Sequence, residues 1–152
     1  MSTLIERLCE AKARGDIAPV LHSIPYARWL GISYERVGEE WLGKLAFAEH
    51  LVGNPALPAL HGGVVGALLE STAIYHVLHE AETLALPKTI TVTIDFLRSA
   101  GPRDCWARGE IVRHGRRVVT VRSIAWQEDP ALPVAAANVH LLLAPVEDGE
   151  QR

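Results

Sequence analysis

The chain has 152 residues, 49% hydrophobic and 22% charged, with a formal net charge of −3 and a pI near 6.1. That is enough chain and apolar content for one globular domain with a real core, and the mildly acidic balance excludes a general nucleic-acid binder, which would carry a basic face. No apolar run reaches the roughly 18 residues of a membrane span, and the start Met1-Ser2-Thr3-Leu4-Ile5-Glu6-Arg7 lacks the basic-then-apolar layout of a secretion signal, so no membrane association and a cytoplasmic location are expected. Cys9 and Cys105 lie far apart with no second cysteine near either. They suit neither a disulfide framework nor a thiol metal site, and free, partly buried thiols are expected.

Leu4, Ile5, Leu8, Ala11 and Ala13 recur at near-helical spacing behind Ser2 or Thr3 as a cap, which predicts a short amphipathic helix ended at Gly15. Pro19 and Pro25 bracket a predicted linker, and Tyr26 to Leu30 reads as a further helical turn stopped at Gly31. Ile32 to Val37 and Trp41 to Ala48 read as two strands joined by a turn at Gly38-Glu39-Glu40. Residues 49–60, with Gly53, Asn54, Pro55 and Pro58, read as irregular. A long helix is predicted over about His61 to Glu80. Its apolar residues cover every face from Val64 to Leu78, the mark of a buried helix, with one acid, Glu70, in the middle. Glutamate is rarely buried without a partner, so a chain that keeps one there is expected to use it.

After Pro87 the pattern turns to β. Thr89 to Phe96 is mostly β-branched or aromatic. Arg103 to Arg113 and Arg117 to Trp126 are two further strands around His114-Gly115-Arg116, where Gly115 is expected to supply the positive φ of a tight hairpin. Pro130 and Pro133 precede a last strand, Val134 to Leu143, and the polar tail from Glu147 to Arg152 is expected to fray. Strands before and after one helix predict an α+β fold with a six-stranded antiparallel sheet. A sheet wrapping the helix covers most of it. Cover for the remainder requires another protomer, so at least a dimer is expected.

Together, Asn54, His61-Gly62-Gly63, Glu70 nine positions after the histidine, the strand end Ile94-Asp95-Phe96-Leu97-Arg98-Ser99-Ala100 and the turn His114-Gly115-Arg116-Arg117 resemble the hotdog-fold acyl-CoA thioesterases of the phenylacetate-degradation type. The likeness runs from about Ile32 to Leu143. It implies a six-stranded antiparallel sheet wrapped around a long central helix, in one domain over 1–152 with a helical extension at about 1–30 and a core at about 32–144. It implies homodimers, often paired into tetramers, with active sites at the dimer interface. It also implies hydrolysis of acyl-CoA without a metal or an organic cofactor.

Thioester hydrolysis needs an activated nucleophile and a donor for the developing oxyanion. Glu70 is the candidate general base or nucleophile. Gly62 and Gly63 fall where a helix start presents unpaired N–H groups, and the resemblance makes Gly62 the oxyanion donor. Asn54 corresponds to an asparagine that orients nucleophile or carbonyl from the opposite subunit, although its spacing to His61 is one residue longer than the family's. An ordinary turn asparagine is the alternative. His61 is either a positioning partner near the thioester or a helix cap. Thr89 sits where relatives carry a Ser or Thr facing the attacking water, or is a threonine placed by strand propensity. Arg113, Gly115, Arg116 and Arg117 are candidates, with Gly63, for holding coenzyme A, because arginine forks match phosphate. Arg98 and Arg103 are weaker candidates. The alternative for the arginine turn is a solvated basic loop. His76 and His79 read as core or surface histidines, and no metal site is expected.

Two other functions fit fewer residues. A hotdog acyl dehydratase or hydratase would use a histidine and an acid, faintly echoed by His50 and Glu70. A non-catalytic acyl-CoA-binding protein would use the same pocket without turnover.

Overall fold

The computed structural model describes residues 3–82 and 86–143. The expected fraying tail lies outside the described residues. Helix α1 (Leu4–Ala13) opens with a capping box: Thr3 Oγ1 accepts from the Glu6 N–H at 3.2 Å, and Glu6 Oε2 accepts from the Thr3 N–H at 2.8 Å. The segment expected to be a linker holds a short helix, α2 (Ala18–Leu21). Pro19 stands in its first turn, where a missing N–H breaks no helical bond. Helix α3 (Pro25–Leu30) ends at Gly31, whose φ of 76° supplies the left-handed cap.

Strands β1 (Ile32–Val37) and β2 (Glu40–Leu45) form the expected hairpin. Residues 49–60 are more regular than expected. A 3-10 turn (Glu49–Leu51) leads into β3 (Val52–Asn54), which pairs with β4 (Ala59–Leu60). Pro55 and Pro58 sit in the connecting turn and so cost no ladder bond. The long helix α4 (Gly62–Glu80) follows, then β5 (Pro87–Phe96), β6 (Cys105–His114), β7 (Val118–Trp126) and β8 (Ala135–Leu143). The main sheet is antiparallel throughout, in the order β1-β2-β6-β7-β8-β5. Strand β5 is therefore an edge, paired only to β8.

Helix and sheet approach closely because glycines face each other's side chains. A Cβ at Gly43 would lie 2.0 Å from Thr72 Oγ1, one at Gly109 would lie 3.1 Å from His76 Cβ, and one at Gly66 would lie 2.8 Å from Ile94 Cδ1. Leu68, Leu69, Ala73 and Val77 of α4 are fully enclosed with Ala107, Val121, Ala125 and Val139 of the strands. The C-terminal end of α4 is tied down by α1, where Lys12 Nζ donates to the Ala81 carbonyl. Cys105 is fully buried, and burial pushes its thiol up to about 12, while Cys9 is half-buried; both are free thiols.

One sequence expectation changes. The hairpin β6–β7 does not use a positive φ at Gly115, since among the described residues only Gly15, Gly31 and Gly38 adopt one. Gly115 is needed for closeness instead: its N–H donates to the Val118 carbonyl at 2.8 Å, and an added Cβ would lie 2.8 Å from that oxygen. Helix α4 is covered over most of its surface but not all of it. Ala67, Glu70, Ser71 and Ile74 form a half-buried stripe, because the sheet stops at β5. Within β5 the register shifts between Thr89 and Thr91, and this bulge leaves Ile90 outside the ladder and 55% exposed.

Candidate active site

Strand β5 and helix α4 run past each other in opposite directions, and three contacts mark the seam. At one end, Thr89 Oγ1 donates to Glu70 Oε1 at 2.6 Å. In the middle, Ile94 lies on Gly66. At the other end, the Phe96 ring lies against Gly62, 3.2 Å from where a Cβ would stand. Glu70 is only half-buried in the single chain, short of the enclosure that an all-apolar helix suggests. Its hydrogen bond to Thr89 fixes one carboxylate oxygen and leaves lone pairs on the other for a water or a substrate atom.

The helix start divides its two glycines. His61 is the N-cap, and its Nδ1 accepts from the Gly63 N–H at 2.9 Å. The Gly63 donor is thereby spent. With Nδ1 accepting, the neutral ring carries its hydrogen on Nε2. Among the described residues no acceptor takes the Gly62 N–H, which leaves it at the positive end of a 19-residue helix. Eight residues separate Gly62 from Glu70, about 12 Å along the axis at 1.5 Å per residue. An oxyanion donor and a base acting on one carbonyl must lie within about 3 Å of the reacting atoms, so one chain alone does not bring this pair together.

Asn54 is exposed, and its Oδ1 accepts from the Ala56 N–H at 3.1 Å, closing a turn of its own loop. His50 is engaged elsewhere: its Nε2 meets the Trp29 carbonyl at 3.2 Å and its ring lies 5.1 Å from Trp29, with no bond to Glu70. Arg113, Arg116 and Arg117 are exposed around the β6–β7 turn. The lateral row Thr89, Leu141, Val119, His114 leads from the Glu70 partner to that turn across three strand steps, about 14 Å at 4.8 Å per strand. His76 packs against Gly109, and the His79 ring lies tilted against Trp41 with ring centroids 5.1 Å apart.

One part of the site left no mark in the sequence reading. A cavity of about 170 Å³ opens beside Gly62, walled by Leu60, Val65, Phe96, Ala100 and Val134. Segments far apart in the chain meet there, held by Leu60 N–H to Ala100 O at 2.9 Å and Leu97 N–H to Val134 O at 2.8 Å. Phe96, an aromatic residue in the strand-end motif, was the available signal, and it is 59% exposed.

Residues 53–142 match the family described as the acyl-CoA thioesterase N-terminal domain. The chain belongs to the acyl-CoA thioesterase family. A medium/long-chain acyl-CoA thioesterase, YigI, of Salmonella typhimurium is 27% identical over 137 residues, covering 80% of this chain and 88% of that protein. Its namesake from Escherichia coli K12 is 28% identical over 133 residues, covering 78% and 84%. A crystal structure from Chromobacterium violaceum superposes with a TM-score of 0.73 at 34% identity, over 93% of this chain and 99% of that one. A thioesterase-superfamily structure superposes at 0.72 with 25% identity, over 94% and 100%. The fold is thus the hotdog of the thioesterases, and the protein is a thioester hydrolase acting on acyl-CoA. No described helix is long and apolar enough to cross a membrane.

Proposed function

We propose that this thioesterase, of the phenylacetate-degradation type, hydrolyses medium- or long-chain acyl-CoA through Glu70, with the Gly62 N–H receiving the thioester oxygen. The observation that carries the reading is the short Thr89–Glu70 hydrogen bond on the one uncovered stripe of α4. A carboxylate held by a single donor, at the open seam of an otherwise enclosed helix, is placed to take a proton from water or to attack the acyl carbon. The Gly62 N–H, with no acceptor among the described residues, supports the oxyanion role. His61 holds the helix start and directs Nε2–H outward, Asn54 orients the carbonyl, and Gly63 with Arg113, Gly115, Arg116 and Arg117 receives the coenzyme A portion.

The roughly 12 Å between Glu70 and Gly62 requires that the two act from different chains of a homodimer, itself able to pair into a tetramer. Edge strand β5 is the surface for that contact. Antiparallel pairing of two copies of β5 in the register that puts Lys88 opposite Asp95 of the partner subunit would form an opposite-charge cross-strand pair and bring Glu70 towards the partner's helix start. Each chain would form one hotdog domain over 1–152, with residues 1–30 as its helical extension, and would work in the cytoplasm. The medium- or long-chain preference rests on the YigI likeness.

The test is thiol release from an acyl-CoA panel by wild type, Glu70→Ala and Glu70→Gln. Loss of turnover in both variants, with folding intact, is expected. Wild-type rates in either variant would end the proposal. A 3-hydroxyacyl thioester in the same assay checks the dehydratase alternative, since dehydration creates a double bond without freeing thiol.

A further inference from the structure

Beside the cavity at Gly62 lies a second and larger one, of about 380 Å³. The two share Arg98, Ser99 and Val134 as a common wall. Five apolar side chains, Leu60, Val65, Phe96, Ala100 and Val134, line the inner one beside the shared Arg98 and Ser99, whereas the outer one is rimmed by charge, including the Arg103–Glu128 ion pair and Asp129. Two leucines nevertheless project into that charged rim, Leu57 at 68% and Leu132 at 53% exposed. Neither serves the fold at that exposure, and they approach from two loops on either side of the outer cavity.

Resting on the reading that the thioester carbonyl sits at Gly62, we infer that these adjoining cavities form the acyl track. Phe96 and Ala100 set the width of its inner part, and Leu57 and Leu132 carry the tail of longer chains. The five apolar side chains of the inner cavity suit an acyl chain better than the amides of the pantetheine arm. An acyl chain loses nothing polar by entering. At about 170 Å³ the inner cavity is close in size to an apolar hole of about 150 Å³ that takes up benzene, so it holds about six carbons. A medium chain fills it. A longer one must pass the Arg98 stem and lie between the two leucines. The coenzyme A portion then leaves in the other direction, towards the arginine turn.

The track is tested with kcat/KM for butanoyl-, octanoyl- and hexadecanoyl-CoA, on the wild type, Ala100→Phe and the double variant Leu57→Asp/Leu132→Asp. Filling the inner cavity in Ala100→Phe is expected to lower octanoyl and hexadecanoyl turnover by about 30-fold relative to butanoyl. The double variant is expected to lose about 10-fold on hexadecanoyl alone. The two leucines are exposed, so that variant decides the matter even if Ala100→Phe does not fold. Equal loss on all three substrates, or an unchanged chain-length profile in the double variant, overturns the track while leaving the Glu70 reading in place. Undiminished hydrolysis by Glu70→Gln overturns that reading instead, whatever the profile.

Discussion

The two flanks of α4 are built to opposite rules. Towards β2 and β6 the helix is shut: Gly43 and Gly109 let the strands come so close that Thr72 is completely buried, its hydroxyl without a partner. Towards β5 the helix is open, and the strand offers a polar partner, Thr89, to a half-buried acid. The closed flank commits its groups to packing, so it tolerates a lone hydroxyl but no added atom. The open flank is left unfinished by one chain, and that is where the chemistry is proposed. Stability and reaction are thus separated across the width of one helix.

Variants on the two flanks should therefore fail in different ways. The largest effect is expected from Glu70→Gln, which should lower kcat/KM by about a thousand-fold with little change in Tm; a large drop in Tm would mean that Glu70 belongs to the closed flank's packing. Gly43→Ala should behave oppositely. Its Cβ would meet Thr72 Oγ1 at 2.0 Å, and overpacking of that kind costs about 1–3 kcal/mol, read as a lower denaturation midpoint. Thr72→Ala in the same chain should recover part of it, and no recovery would locate the strain elsewhere.

Thr89→Val keeps the shape and removes the donor to Glu70. Activity should fall about ten-fold, corresponding to about 1.4 kcal/mol, with Thr89→Ser close to wild type. If the site spans two chains, mixing Glu70→Ala with Gly62→Pro protein should restore activity to about a quarter of wild type, since half the dimers are mixed and each holds one intact site. Two inactive proteins that stay inactive when mixed would break the two-chain site.

The smallest effect is one of pH. Burial holds the His76 imidazole below its usual range, partly offset by Glu80 and Glu110, while His79 adds to the lowering. The folded chain then takes up this proton later than the unfolded chain on acidification. Stability from the neutral ring is present above pH about 6.5 and is lost as the pH falls below it. Tm should drop between pH about 7 and about 5 by less in His76→Gln than in wild type.

What could be read from the residues was what a local pattern carries. The acid inside an apolar helix, the glycines at its start and the β-branched run with Thr89 were all legible, and the six-stranded sheet followed from them. What escaped depends on distance in the chain. Half-burial of Glu70 reflects where the sheet stops, which no helical periodicity records. The cavity beside Gly62 needs Leu60 of β4 to converge with Ala100 and Val134 from two loops. Pro19 suggested a break, yet stands where a helix begins. Gly115 was rightly singled out for a turn, but the turn needs a bare Cα beside Val118 rather than an unusual φ.

The bulge at Ile90 has a consequence in parity. A strand alternates its faces in twos, so an odd-numbered and an even-numbered residue of β5 should not both look at the helix. Thr89 does, against Glu70, and so do Ile94 and Phe96, against Gly66 and Gly62. The single extra residue between Thr89 and Thr91 supplies the odd step that reconciles them. A chain without it could keep the partner of the acid on the inner face, or the wall of the cavity, and would have to give up the other.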